Sequence, residues 1–214
     1  MMRIFKRFVF ANRARPALFA ALTLGLALAG CVTAENSLSQ NDIASMKLTG
    51  VNVGFAPNAV VRWEEGERAY AGAKAMSDAQ VADARQTQDY KDYVHALLAP
   101  RIKAGVEQAM AGQLTGVRPV RLDIVVTRFY IPSFVWRVVV GGDPLMIAAA
   151  TLVDARTGAV ILAHPGLDVV VSGSSGIIRA TLQAAVDSSR NETPEGRLIA
   201  RYGEAYREWL THGA

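Results

Sequence analysis

Between Arg118 and Ile131 the apolar side chains fall into a period of two: Val120, Leu122, Ile124 and Val126 alternate with Arg121, Asp123, Val125 and Thr127. Successive side chains of a strand point to opposite faces, so this stretch demands a core on one side and tolerates water on the other. Leu145 to Val153 is almost wholly apolar and reads as a central strand. Asp154-Ala155-Arg156-Thr157-Gly158 then supplies a turn, and Ala159 to Ala163 resumes strand character, completing a hairpin. Leu167 to Val171 continues that second arm after an interruption at His164-Pro165-Gly166. Upstream, Met46 to Phe55 is a first strand with an irregular start, and Ala59 to Trp63 a short second one.

Helical periods flank this sheet. Tyr90, Val94, Leu97, Leu98, Ile102, Val106 and Met110 recur at three- and four-residue spacing, which predicts a helix over Gln88 to Leu114. Pro100 falls inside it and should kink or divide it. The alanine-rich, charged stretch Glu65 to Gln88 has a thin apolar face and reads as a loose connection or partial helix. Ser174 or Ser175 can cap a helix carrying Ile178, Leu182, Ala185 and Val186. Thr193-Pro194-Glu195 opens a last one, with Leu198, Tyr202, Ala205, Tyr206, Trp209 and Leu210 on one side. The simplest arrangement of these stripes is an α+β fold: a curved mixed or antiparallel sheet with its helices mainly on one face. With 51% hydrophobic residues in 214, the chain can fill one such core.

The net charge of +4 suggests a nucleic-acid partner until its location is read. Arg3, Lys6, Arg7, Arg13 and Arg15 crowd the first fifteen positions, and without residues 1–30 the chain has 18 basic against 19 acidic side chains, a net of −1. No general attraction to a phosphate backbone remains, so nucleic acid is not an expected partner. The basic stretch, Pro16 and the thirteen-residue run Ala17 to Ala29, polar only at Thr23, have the layout of a signal peptide. Thirteen helical residues rise about 20 Å, short of a hydrocarbon core of about 30 Å, so cleavage is favoured over a retained span.

Leu28-Ala29-Gly30-Cys31, directly after that short apolar run, resembles the lipobox of bacterial lipoproteins, and Cys31 is the chain's only cysteine. The resemblance implies a diacylglyceryl thioether on Cys31, cleavage before it and acylation of its new amino group. Two or three acyl chains anchor firmly where one does not. Val32, where an inner-membrane retention aspartate would stand, implies sorting to the outer membrane. The competing reading, an ordinary signal ending in Ala-Gly, leaves an incidental free thiol in an oxidising compartment. Three segments follow: a signal peptide over 1–30, a polar lipidated tether over 31–45 reaching up to about 50 Å at about 3.3 Å per residue, and a single periplasmic domain over 46–214.

Few polar residues invite chemistry. His164 sits at the strand interruption, and catalysis there would require Asp154 or Asp168 to converge on it; a turn-stabilising role is the simpler account. His95 and His212 lie on separate stretches, so no three-histidine metal site is expected. Ser172-Gly173-Ser174-Ser175-Gly176, with Arg179 a turn later, could surround an anion, but lacks the P-loop ending and reads better as a strand-to-helix turn. Glu64 and Glu65 read as solvated charges, not an acid–base pair. No cofactor is expected.

The stretch Phe129 to Val140 concentrates four aromatics and several branched aliphatics around Pro132. It is either an ordinary core crossover or an exposed docking surface, with Phe134 and Trp136 as anchors and Arg137 at the rim. The strand Ile124 to Phe129, the Gly141-Gly142 approach and the Asp154-to-Val160 turn resemble small periplasmic domains of uncharacterised bacterial lipoproteins and, more distantly, accessory lipoproteins of envelope assembly or transport. That resemblance implies a non-enzymatic interaction or assembly module. Its partners would be the bilayer, through Cys31, and an envelope protein. The alternative is a carrier or sensor holding a lipid or small apolar ligand between sheet and helix. The sequence leaves the oligomeric state open.

Overall fold

The alternating segment at the centre of the sequence is also the centre of the sheet. A computed structural model describes residues 34–133, 135–136, 142–172 and 193–212, all within a compact unit spanning Ala34–Ala214. Strand β1 (Met46–Trp63) lies beside β2 (Arg118–Ile131), then β3 (Leu145–Asp154) and β4 (Val160–Val170), in the order β1-β2-β3-β4. The first pair is parallel and the other two antiparallel, so the sheet is mixed and open. Val120, Leu122, Ile124 and Val126 are all buried, while Val125 on the opposite face is 42% exposed, as the period-two reading requires.

Helices α1 (Gln40–Ser45), α2 (Glu64–Lys74), α3 (Asp78–Ala84), α4 (Gln88–Ala109) and α5 (Pro194–His212) complete the described elements. On the dry face, Val94, Leu98, Ile102 and Val106 of α4 and Leu198, Tyr202, Tyr206 and Leu210 of α5 join the strand side chains in one core. Tyr202 Oη donates to the Ala148 carbonyl at 3.2 Å, which satisfies its hydroxyl inside that core. Burial pushes the ionisation of Tyr202 and Tyr206 upward.

Helices α4 and α5 run side by side in the same direction. Arg101 meets Glu195, Gly105 meets Ile199 and Ala109 meets Gly203, each step four residues on both helices. The two glycines make the close approach possible: a Cβ on Gly105 would sit 2.5 Å from Ile199 Cγ2, and one on Gly203 2.6 Å from the Ala109 Cβ.

Several sequence expectations are corrected. The two strands expected over Met46 to Trp63 are one, because four residues, 56–59, bulge out opposite Thr127 and pairing resumes at Val60↔Arg128. The break expected at His164-Pro165-Gly166 is one extra residue within β4: Ala148 pairs with Leu167 and Ala150 with His164. Helix α4 passes through Pro100 undivided. Pro100 and Ala96, whose carbonyl loses the bond, lie on the exposed side, where water serves it, while the buried stripe holds the other side. The stretch Glu65 to Gln88, expected to be a loose connection or partial helix, is largely helical, carrying α2 and α3. Ser77 and Gln80 form a reciprocal cap for α3, and Tyr70 packs edge-on against Tyr90 and Tyr93.

The tether is shorter than expected. Asn36 is buried, and its amide donates to the Leu210 carbonyl at 2.6 Å, while Trp209 Nε1 donates to the Ala34 carbonyl at 2.7 Å. Ser39 and Asp42 cap α1 reciprocally. From Ala34 onward, residues expected to be a tether belong to the folded unit. The proposed signal with Leu28, Ala29, Gly30 and Cys31, the residues Phe134 and Arg137, and the helix expected around Ile178 to Val186 lie outside the described residues.

Candidate functional site

The parallel strands β1 and β2 end together, at Trp63↔Ile131, and the chain leaves that end in two ways. After Trp63 it turns at once into α2, whose first turn carries Glu64, Glu65 and Glu67, the charge sign that a helix N-terminus favours. After Ile131 it leaves the sheet through Pro132 and Ser133, where the Trp136 amide donates to Ser133 Oγ at 3.2 Å. The Trp136 indole is 51% exposed and Val135 69%. Gly142 has φ +146°, a backbone conformation that favours glycine, and it lies within contact reach of the Trp136 ring and Pro132.

Between Trp136, Pro132, Tyr130 and the start of α2 lies a cleft of about 380 Å³. Its far wall is ionic. Glu67 accepts from Arg85 at 2.7 Å and faces Arg62 Nε at 3.4 Å, and its hydrogen bond holds the Arg85 guanidinium above its ordinary range. Behind it Tyr90 is pushed up to about 12, chiefly by burial. The site is an apolar lip beside a fixed charge cluster.

Next to it, Arg101 ties three helices together. Its guanidinium donates to Glu65 at 2.8 Å and to Glu195 at 2.9 Å and lies 4.7 Å above the buried Trp63 ring. Glu65, expected to be a solvated charge, is therefore held by Arg101, which lowers its pKa. Glu195, buried on α5, is shifted upward, first by burial. One cation shared by two carboxylates leaves the more buried acid the readier to take a proton. Glu64 remains a surface charge, 3.7 Å from Arg68.

The other sequence candidates stay apart. His164 Nδ1 accepts from the Gly166 amide at 3.4 Å and its ring meets Trp209 edge-on at 4.8 Å, a turn contact that burial accompanies with a lowered pKa. Asp154 is occupied by its own turn, accepting from the Arg156 and Thr157 amides. His95 stacks on Phe55 at 3.8 Å. Among the described residues no group of three metal-ligating side chains converges. No described helix is long and apolar enough to cross a membrane. The proposed anion loop is described only at Ser172.

The sheet–helix interface, where the alternative reading would place a carried ligand, is lined by buried core side chains such as Leu98, Ile102, Leu122 and Tyr202. A groove of about 1080 Å³ is bordered by Arg101 and Gln108 of α4, Val171 after β4, and Glu195, Arg201 and Glu204 of α5.

No family model and no curated protein matches the chain. Solved structures do. The chain is similar to a putative lipoprotein from Caulobacter crescentus at 18% identity, covering 53% of this chain and 80% of that one with a TM-score of 0.32. It is similar to a PelC dodecamer from Paraburkholderia phytofirmans at 14% identity, covering 77% and 88%, with a TM-score of 0.36. Protein XCC0632 from Xanthomonas campestris, of family DUF330, is 14% identical over 80% of this chain and 86% of its own, with a TM-score of 0.36.

Proposed function

We propose that this chain matures as a lipoprotein of the bacterial outer membrane, acylated at Cys31, and that its α+β domain acts in the periplasm as a non-enzymatic docking module for an envelope protein. The reading of the anchor rests on the sequence: one cysteine, placed after Leu28-Ala29-Gly30 and a short apolar run. The docking role rests on Trp136. An indole half in water, beside a more exposed valine and an ionic cleft, resembles the aromatic anchor with polar rim that dominates protein interfaces.

The test is crosslinking in intact cells with and without Trp136→Ala. Capture of one envelope protein by the parent chain, lost in the variant while the fold and membrane fraction are unchanged, supports the docking surface. Equal capture by both removes it. Labelling with radioactive palmitate, present in the parent chain and absent in Cys31→Ser, tests the anchor separately.

A further inference from the structure

The bulge in β1 borders a cavity of its own. Pairing with β2 stops at Phe55↔Val126 and resumes at Val60↔Arg128, and Pro57 and Asn58, in the interval, line a space of about 420 Å³. Tyr90 and Val94 of α4, both buried, line it as well. Most of the other side chains there are cations or hydrogen-bond donors: Arg62, Arg85, Gln86, Lys91 and His95. Trp136 and Pro132 do not border it, which sets it apart from the cleft beside the indole.

The charges around this space do not balance. Arg62 and Arg85 border both the cleft and the cavity, whereas Glu67, which holds them at 3.4 and 2.7 Å, borders the cleft alone. Lys91 has no ion-pair partner among the described residues, and its neighbour Asp92, which accepts from Gln88 at 2.7 Å, does not line the cavity. Three cations against one carboxylate leave an excess of two positive charges. Arg85 Nε and the Tyr90 hydroxyl are buried without a hydrogen-bond partner among the described residues, so this wall holds more donors than its own acceptors satisfy. His95 lies flat against Phe55, and burial keeps its pKa below the ordinary value, so it adds no charge near neutral pH.

We infer that this cavity binds a phosphate group, free or carried on a small molecule, with Arg62, Arg85 and Lys91 as its cationic partners. A phosphomonoester carries about −1.5 to −2 charges near pH 7, which matches the excess, and guanidinium donors fit its oxygens in pairs. Glu67 fixes the two guanidiniums from the cleft side, so they are oriented before the ligand arrives. A space of about 420 Å³ is more than a bare phosphate fills and admits the carried form as well.

The experiment uses the full-length protein as recovered from expressing cells, in neutral detergent, with isotope-labelled histidines read by NMR. Inorganic phosphate or glycerol phosphate is titrated at constant ionic strength and about pH 7.5, where His95 and His164 are both neutral. The His95 signals, identified by their loss in His95→Phe, should move saturably, while those of His164, which does not border the cavity, stay in place. Arg62→Gln with Lys91→Gln should weaken the affinity by at least about tenfold. Arg68→Gln with Arg156→Gln, an equal loss of charge from exposed positions that do not line the cavity, should weaken it by less than about twofold. His164 signals at the parent position show that each variant is folded. A stronger response to glycerol phosphate makes the ligand a carried phosphate, and a stronger one to the inorganic ion makes it free phosphate. No saturable movement with either probe, movement of His164 in step with His95, an affinity kept by the cavity variant, or acetate binding as well as phosphate each overturns the site.

Discussion

The indole nitrogen of Trp209 and the carbonyl oxygen of Ala34 lie 2.7 Å apart, joining the first described residue to the penultimate turn of α5. Asn36 strengthens the same junction from a buried position, with its amide on the Leu210 carbonyl. Asn36→Ala leaves that helix-end carbonyl without its side-chain donor and should cost about 1–2 kcal/mol in urea unfolding. A change within error would mean that residues 34–36 are not held as described.

The close packing of α4 on α5 predicts opposite outcomes for two glycines. Gly203→Val pushes new atoms into Ala109 and should destabilise the domain by about 1–3 kcal/mol. Gly72→Ala, on an exposed turn of α2 with open space at its Cβ, should stabilise by up to about 1 kcal/mol. Thermal unfolding midpoints of the two variants decide it.

Acid should weaken the fold through His95 and His164. Burial lowers both from the ordinary 6.5, so the unfolded chain binds protons more readily than the native one as pH falls through that value. Stability is then highest above about pH 6.5 and declines below it until both histidines are protonated in the native state as well. His95→Phe with His164→Phe should flatten the slope of unfolding free energy between about pH 7.5 and 5.5. An unchanged slope would assign that dependence elsewhere.

Arg101→Met removes the cation between Glu65 and Glu195 and leaves the buried Glu195 without its partner. The loss of stability should be greater at neutral pH than near pH 4.5, because the protonated Glu195 needs no counter-charge. Chemical denaturation at the two pH values reads the difference, and equal losses would show that Arg101 acts by packing on Trp63 alone.

Trp136→Ala should change stability by less than about 0.5 kcal/mol, since its side chain is half in water. A larger cost would make the indole part of the core and weaken its claim as an anchor.

Much of this architecture was legible from local pattern. The alternation over Arg118 to Ile131 gave β2 with both its ends, and the apolar spacing of Tyr90, Val94 and Leu98 gave α4. Residues whose partners lie far along the chain were harder. Asn36 reads as one more polar residue until Leu210, 174 positions later, is brought beside it. Only the spacing of Ser39 and Asp42 could have signalled a helix start there. The survival of α4 through Pro100 was hidden for a related reason: it depends on which side of the helix faces water, set by a sheet that the local sequence does not contain. At the candidate site, Trp136 was found by composition, whereas the pairing of Arg101 with Glu65 and Glu195 required three separate helices to meet.

The parallel union of β1 with β2 carries a kinetic cost. Met46 and Arg118 are neighbours in space but 72 positions apart in sequence, with three helices between them. Such a pairing must close a long loop before its bonds form, which places it among the slower steps of assembly. A chain emerging from a translocation pore with its amino-terminal part first would present β1 well before β2 followed. Throughout that interval the earlier strand would lack β2, its neighbouring strand among the described residues, so the chain could stay threadable until most of it had crossed.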